Sequence, residues 1–149
     1  QQNFIALYNK GVAYTQLKDY HQSLADFGKV IEMNDKFTEA YINRGYAKKN
    51  LMDYAGALND YNKACELDPN NKNAWNDRGS LQVLIKNYDN AITDFTQAIT
   101  IDNQFAAAYF NRAMAYILVN KTSEACADLD IAFNLKINRA ETLKQMYCK

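Results

Sequence analysis

The 149-residue chain has a single proline, Pro69, and only five glycines. Little therefore interrupts a helix, and no glycine-rich loop is available to cradle a phosphate. His21 is the only histidine, and no catalytic cysteine or serine motif lies near it, so nucleophile-and-base chemistry has nothing to rest on. Lysine plus arginine and aspartate plus glutamate both number 17. That balance removes the bulk electrostatic footprint by which nucleic acids and anionic membranes are met. No apolar run is long enough to span a bilayer, and no basic segment precedes an apolar one, so neither a membrane helix nor a signal peptide is expected. The first residue is Gln1, not Met, which suggests a processed product or a piece of something longer, and leaves the compartment unreadable. Cys65, Cys126 and Cys148 are odd in number and lack CxxC spacing, which argues against zinc and against a complete disulfide framework. The expectation is buried thiols, with a Cys126–Cys148 bridge as the alternative.

What the chain does contain is 48% hydrophobic and 23% charged residues, a globular balance, and a repeat. Tyr41-Ile42-Asn43-Arg44-Gly45, Trp75-Asn76-Asp77-Arg78-Gly79 and Tyr109-Phe110-Asn111-Arg112-Ala113 recur every 34 residues, with Leu7-Tyr8-Asn9-Lys10-Gly11 as an earlier copy. Four repeats follow, at residues 4–37, 38–71, 72–105 and 106–139. Numbered from each repeat's first residue, small and apolar side chains form columns at helical spacing. Position 4 is Leu7, Tyr41, Trp75, Tyr109; position 8 is Gly11, Gly45, Gly79, Ala113. Position 20 is Ser23, Ala57, Ala91, Ala125; position 24 is Phe27, Tyr61, Phe95, Leu129; position 27 is Val30, Ala64, Ala98, Ala132.

These columns resemble the tetratricopeptide repeat, W-x2-L-G-x2-Y followed by A-x3-F and a proline, in which each unit is a helix, a tight turn and a second helix. The resemblance implies an all-α fold: a right-handed α-α superhelix, or solenoid, of four repeats in one domain spanning 1–149, closed by a capping helix over 140–149. Leu143 and Met146 fall at positions 4 and 7 of a fifth first helix, but Tyr147 replaces the glycine, which argues for a cap and against a fifth repeat. At the other end only Gln1 to Asn3 precede the first repeat, so truncation or a partner is expected there. Three departures stand out. Position 11 keeps its aromatic only as Tyr14 and Tyr116, position 32 is proline only at Pro69, and position 7, usually apolar, is Lys10, Arg44, Arg78 and Arg112.

Small residues at positions 8 and 20 let the two helices of a repeat approach closely; Gly45→Leu should separate its hairpin. Asp19, Asp53 and Asn87, at position 16, are expected to N-cap the second helices by accepting from unpaired first-turn amides, a rule that Lys121 breaks. Position 23 is Asp26, Asp60, Asp94 and Asp128, acidic wherever position 7 is basic. In an antiparallel hairpin turning near positions 15 and 16, facing positions sum to about 31. That predicts the pairs Lys10–Asp26, Arg44–Asp60, Arg78–Asp94 and Arg112–Asp128, the first being the weakest. The alternative is that the cations face a ligand carboxylate, but an acid in every copy favours the internal pair.

The resemblance further implies that positions 2, 5, 6, 9, 12 and 13 of the first helices line a concave groove. Position 5 is Tyr8, Ile42, Asn76, Phe110, and position 9 is Val12, Tyr46, Ser80, Met114, more apolar than a solvated helix face requires. Position 6 is Asn9, Asn43, Asp77, Asn111, a column whose amides resemble the asparagine ladder by which such arrays hold extended peptides; the bland alternative is a solvated framework residue. The candidate peptide-binding set is thus Tyr8, Asn9, Val12, Ile42, Asn43, Tyr46, Asn76, Asp77, Phe110, Asn111 and Met114. Co-chaperones of the family use a carboxylate clamp of Lys, Asn, Asn, Lys and Arg. Here only Asn43 matches, and Tyr8, Val12, Asn73 and Asp77 do not. The expected function is a non-catalytic protein-interaction scaffold holding a peptide or helix of a partner, without cofactor, metal or small-molecule substrate. The alternatives are self-association into a homo-oligomer and, given the even charge, RNA binding as a minor one.

Overall fold

The computed structural model describes residues 2–148, Gln2 by its backbone alone. Gln1 and Lys149, the two ends of the expected domain, lie outside the described residues. Among those described, the chain folds into nine α-helices: α1 (Gln2–Gln16), α2 (Tyr20–Met33), α3 (Thr38–Asn50), α4 (Tyr54–Leu67), α5 (Lys72–Leu84), α6 (Tyr88–Ile101), α7 (Ala106–Leu118), α8 (Thr122–Asn134) and α9 (Arg139–Tyr147). The helices form two compact units, Gln1–Asn70 and Asn71–Lys149. In the first, α1 packs on α2, α3 on α4, and α2 on α3; in the second, α5 packs on α6, α7 on α8, α6 on α7, and α9 on α8.

Each hairpin closes on the columns seen in the sequence. All twelve side chains at positions 20, 24 and 27 are fully shielded from solvent. The position-8 glycines are required by the aromatic residue opposite. A Cβ built on Gly11 would lie 2.8 Å from the Phe27 ring, on Gly45 3.0 Å from Tyr61, and on Gly79 2.7 Å from Phe95. Ala113 adds that carbon in the fourth hairpin, where the facing residue is the smaller Leu129. The volume is kept by exchanging Gly-plus-aromatic for Ala-plus-Leu.

The turns inside the hairpins have no glycine. Lys18, Met52, Lys86 and Asn120, all at position 15, adopt left-handed backbone with φ between 59° and 65°. In each, the next residue's N–H reaches back five residues to close the first helix, as from Asp19 to the Tyr14 carbonyl at 2.9 Å and from Asn87 to Gln82 at 2.8 Å. This closure satisfies carbonyls that would otherwise be orphaned and offsets the steric cost of the left-handed residue. The second helices then start as expected in two of three cases. The Asp19 carboxylate accepts from the Gln22 N–H at 3.2 Å and Asp53 from Gly56 at 2.9 Å. Asn87 stands at the N-cap but does not cap. Its amide nitrogen donates instead to Gln82 Oε1 at 3.1 Å, which turns the side chain back toward α5. Lys121 is an N-cap without a side-chain bond, in line with the sequence.

The cysteines correct the first expectation. Cys65 is buried in α4, but Cys126 and Cys148 are joined by a disulfide, with Cα atoms 5.8 Å apart. Separation along the chain could not show that α9 folds back along α8 to bring the two together. The bridge ties the residue following α9 to α8. Ala140 is wholly buried in a cluster with Tyr109, Ala113, Leu129 and Ala132, and Leu143 packs against it. Met146 stays exposed. No helix among the described residues is long and apolar enough to cross a membrane.

Candidate functional site

The four predicted ion pairs fix the face that each first helix turns away from its partner. Arg44 donates from Nε and from a terminal nitrogen to the two oxygens of Asp60, at 2.9 and 2.7 Å. Arg78 does the same to Asp94 at 2.9 and 2.6 Å, and Arg112 to Asp128 at 2.7 and 2.8 Å. Lys10 approaches Asp26 at 3.3 Å, a single contact from a largely exposed amine, and so is the weakest of the four. The aspartates are 3 or 4% exposed. Such two-pronged bonds hold the guanidinium plane as well as its charge. The planes also lie over the position-4 rings Tyr41, Trp75 and Tyr109, at 5.5, 4.6 and 5.7 Å. The bond to the carboxylate raises the pKa of Arg44 and of Arg112 above the usual arginine range, against the opposing effect of burial. These arginines are engaged inside the hairpins and turned from any ligand carboxylate.

With position 7 facing inward, positions 5, 6 and 9 fall on the opposite side. In the first unit Tyr8 packs edge-on against Phe37, ring centres 5.1 Å apart, and at 5.8 Å from Phe27. The Asn43 amide donates to the Tyr8 hydroxyl at 3.1 Å and to the Glu39 carbonyl at 2.9 Å. Desolvation raises the Tyr8 pKa, the Asn43 bond working the other way. Both amide hydrogens of Asn43 are thereby used, and what it offers a guest is its carbonyl oxygen. Asn43 and Tyr46 line an open hollow of about 400 Å³ with Thr15, Gln16, Lys18 and Tyr20. Tyr8 belongs to a second, mainly apolar hollow of about 830 Å³ with Phe4, Ile5, Met33, Asn34 and Phe37. Asn9 is exposed, Val12 and Ile42 are half-buried, and none of the three lines a hollow described here.

In the second unit the position-5 and position-6 side chains form a chain of bonds. Asn111 donates to Asn76 Oδ1 at 3.0 Å, and Asn76 donates to Asp77 Oδ1 at 3.4 Å. The amides thus bond side chain to side chain, across from α7 to α5. Asn111 and Met114 line a small hollow of about 140 Å³ with Ser80, Val83 and the edge of Phe95. Phe110 and Met114 line another, of about 340 Å³, with Arg139, Thr142 and Leu143 of α9. Those three were missed because α9 reads in the sequence only as a lid; Arg139, one residue before the expected cap, opens the helix. Among the described residues no cluster of histidine, cysteine, aspartate and glutamate is grouped to hold a metal ion.

Residues 4–37 and 38–71 match the tetratricopeptide repeat, and residues 60–93 match a further pattern of the same description. The chain belongs to the tetratricopeptide repeat family. No curated protein sequence matches it. Among solved structures it is similar to MamA, with 21% identity, a TM-score of 0.84, and 93% of this chain set on 81% of that one. PilF of Pseudomonas aeruginosa gives 19% identity and a TM-score of 0.85, over 91% of this chain and 62% of that chain. The first tetratricopeptide domain of Spaghetti (RPAP3), solved with the HSP90 peptide SRMEEVD, gives 19% and 0.76, over 80% of this chain and 94% of that chain. The fold class is therefore the all-α tetratricopeptide solenoid with a C-terminal capping helix. It is a fold that supports protein-interaction scaffolds, and repeats of this family are generally non-catalytic.

Proposed function

We propose that the chain, as one repeat domain over residues 1–149, holds a peptide or helix of a partner protein against its first helices. The observation that carries this reading is the division of labour on those helices. Their charged side chains at position 7 are consumed inside the hairpins, while the opposite side carries half-exposed aromatic, aliphatic and amide groups beside open hollows. Apolar area left on a surface with fixed hydrogen-bonding groups beside it suits a guest chain, the apolar part supplying affinity and the amides register. Asn43 and Asn111 are held by their own neighbours, so they meet the guest already oriented, at little further entropic cost.

The RPAP3 domain is bound to the HSP90 peptide SRMEEVD, but transfer of that ligand is not supported. The clamp cations are replaced here by Tyr8, Asn73 and Asp77, and Asp77 would repel a terminal carboxylate. Self-association is the second reading, favoured by the apolar hollow of Phe4, Ile5, Tyr8, Met33 and Phe37. Light scattering across a concentration series separates the two, a constant monomer mass removing the second. The first is tested by selecting peptides from a displayed library on the wild-type protein and measuring their affinity for the Asn43→Ala/Asn111→Ala variant. Weaker binding at unchanged helicity supports the groove, and unchanged affinity refutes it.

A further inference from the structure

Resting on that reading, we infer that the hollow between α7 and α9 is an anchor pocket for an apolar side chain followed in the partner by a carboxylate. Its lining combines the apolar Phe110 and Met114 of α7 and Leu143 of α9 with Thr142 and Arg139 of α9. Arg139 bears the only charge among these lining residues. It lies over the Phe110 ring, 5.4 Å from the ring centre, and the ring's negative face holds it beside the hollow that both residues line. The other nearby cation of α9, Lys144, is already paired with Asp130 and does not compete for the guest. A guanidinium stacked on an aromatic face keeps its in-plane N–H groups available for a carboxylate. An aliphatic chain filling the hollow would therefore bring the acid of the next residue to the one unsated positive charge of the lining. The apolar hollow of the first unit, by contrast, is lined by no charged side chain and selects nothing beyond hydrophobicity.

The walls are fixed before any guest arrives. A nine-residue helix has little stability alone, so α9 stands by virtue of what it docks to: buried Ala140, Leu143 packed on the Tyr109–Leu129 cluster, and the disulfide from Cys126 to Cys148 just beyond it. A pocket built this way loses little freedom on binding.

The test uses the whole oxidised chain and three Gly-Ser octapeptides, bearing Leu-Glu, Leu-Lys or Ser-Glu at the centre. The readout is the methyl resonances of Met114 and Leu143, with Met33 and Met52 as remote controls. The Leu-Glu peptide should shift Met114 and Leu143 alone at concentrations up to about 10 mM, the range for one anchor. It should bind about three-fold tighter than Leu-Lys, the size of one exposed ion pair, and Ser-Glu should bind weakest. Arg139→Glu should reverse the order of the two leucine peptides while leaving the helical signal unchanged. Equal affinity of Leu-Glu and Leu-Lys, or no shift at Met114, overturns the pocket. Shifts confined to Met33, which lines the Tyr8 hollow, also overturn it while leaving the broader groove reading intact, since that reading is judged by the Asn43/Asn111 variant.

Discussion

A glycine in a helix is a conformational cost unless something presses against it, and this chain contains both cases. Gly79 has the Phe95 ring where its Cβ would be, at 2.7 Å, whereas nothing lies within 4 Å of the same point on Gly28. Alanine raises helix propensity by about 0.8–1 kcal/mol over glycine in either helix. At Gly28 that gain should be realised, so Gly28→Ala is expected to stabilise by about 0.5–1 kcal/mol. At Gly79 the overpacking outweighs it, and Gly79→Ala should destabilise by roughly 1–2 kcal/mol net. Adding Phe95→Leu to Gly79→Ala reproduces the Ala113–Leu129 pairing of the fourth hairpin and should recover part of the loss. Urea midpoints of the three variants against the wild type decide the matter, and equal effects of the two alanines would remove the steric account. The position-8 column made this legible in the sequence. The left-handed turns at Lys18, Met52, Lys86 and Asn120 were not, because none of those side chains advertises positive φ. The helix-closing bonds impose that conformation, and they exist only once both helices are in place.

Within an element pair the repeated cation and acid were read from the sequence because both recur at fixed positions and hairpin geometry sets one beside the other. What the sequence could not supply was how much redundancy each pair has. Lys48 lies 2.9 Å from Asp60, so Arg44→Met leaves that carboxylate a cation. Asp128, 4% exposed, has Arg112 as the cation shown beside it. Removing one member of a buried pair costs about 3–5 kcal/mol when the other is stranded. Arg112→Met should approach roughly 3 kcal/mol in denaturant unfolding, and Arg44→Met should fall well below it. Losses of the same size would mean that Lys48 does not substitute.

A second tie joins the start of α5 to the end of α6, where Lys72 pairs with Asp102 and lies over Phe105. The Lys72 bond, helped by the Gln104 N–H, lowers the Asp102 pKa below the ordinary carboxylate range. A depressed pKa means that the pair's contribution is complete above the unfolded-state value and fades as pH falls through the lower folded value. Carboxyl carbon NMR should find Asp102 titrating below about 3.8, the ordinary aspartate region, and Lys72→Met should move it upward; an unmoved midpoint contradicts the assignment.

At the scale of the chain, the 34-residue period carried the fold, and it also marked the position-5, -6 and -9 side chains as candidates on each first helix. It did not reveal that Asn43 and Asn111 spend donors on partners 35 residues back, on the preceding first helix, or that Asn76 donates to Asp77 beside it. Nor did it reveal α9 as a covalently tied element, because the Cys126–Cys148 bridge lies outside the repeated pattern. The bridge closes a loop between residues 22 apart, and by chain entropy such a cross-link contributes about 3 kcal/mol. In a repeat array stability is local, each element depending chiefly on its neighbours. Reduction by dithiothreitol, which leaves two thiols on the chain and oxidises the reagent, should therefore act unevenly. Amides of α9 should lose hydrogen-exchange protection first, those of α8 and α7 next, and those of α1 to α4 should keep theirs. Cys148→Ser should behave as the reduced protein does. Protection lost evenly along the chain would mean that stability is not local, and protection retained in α9 would mean that its docking does not depend on the bridge, and that Ala140 and Leu143 suffice to hold the wall of the Phe110 hollow.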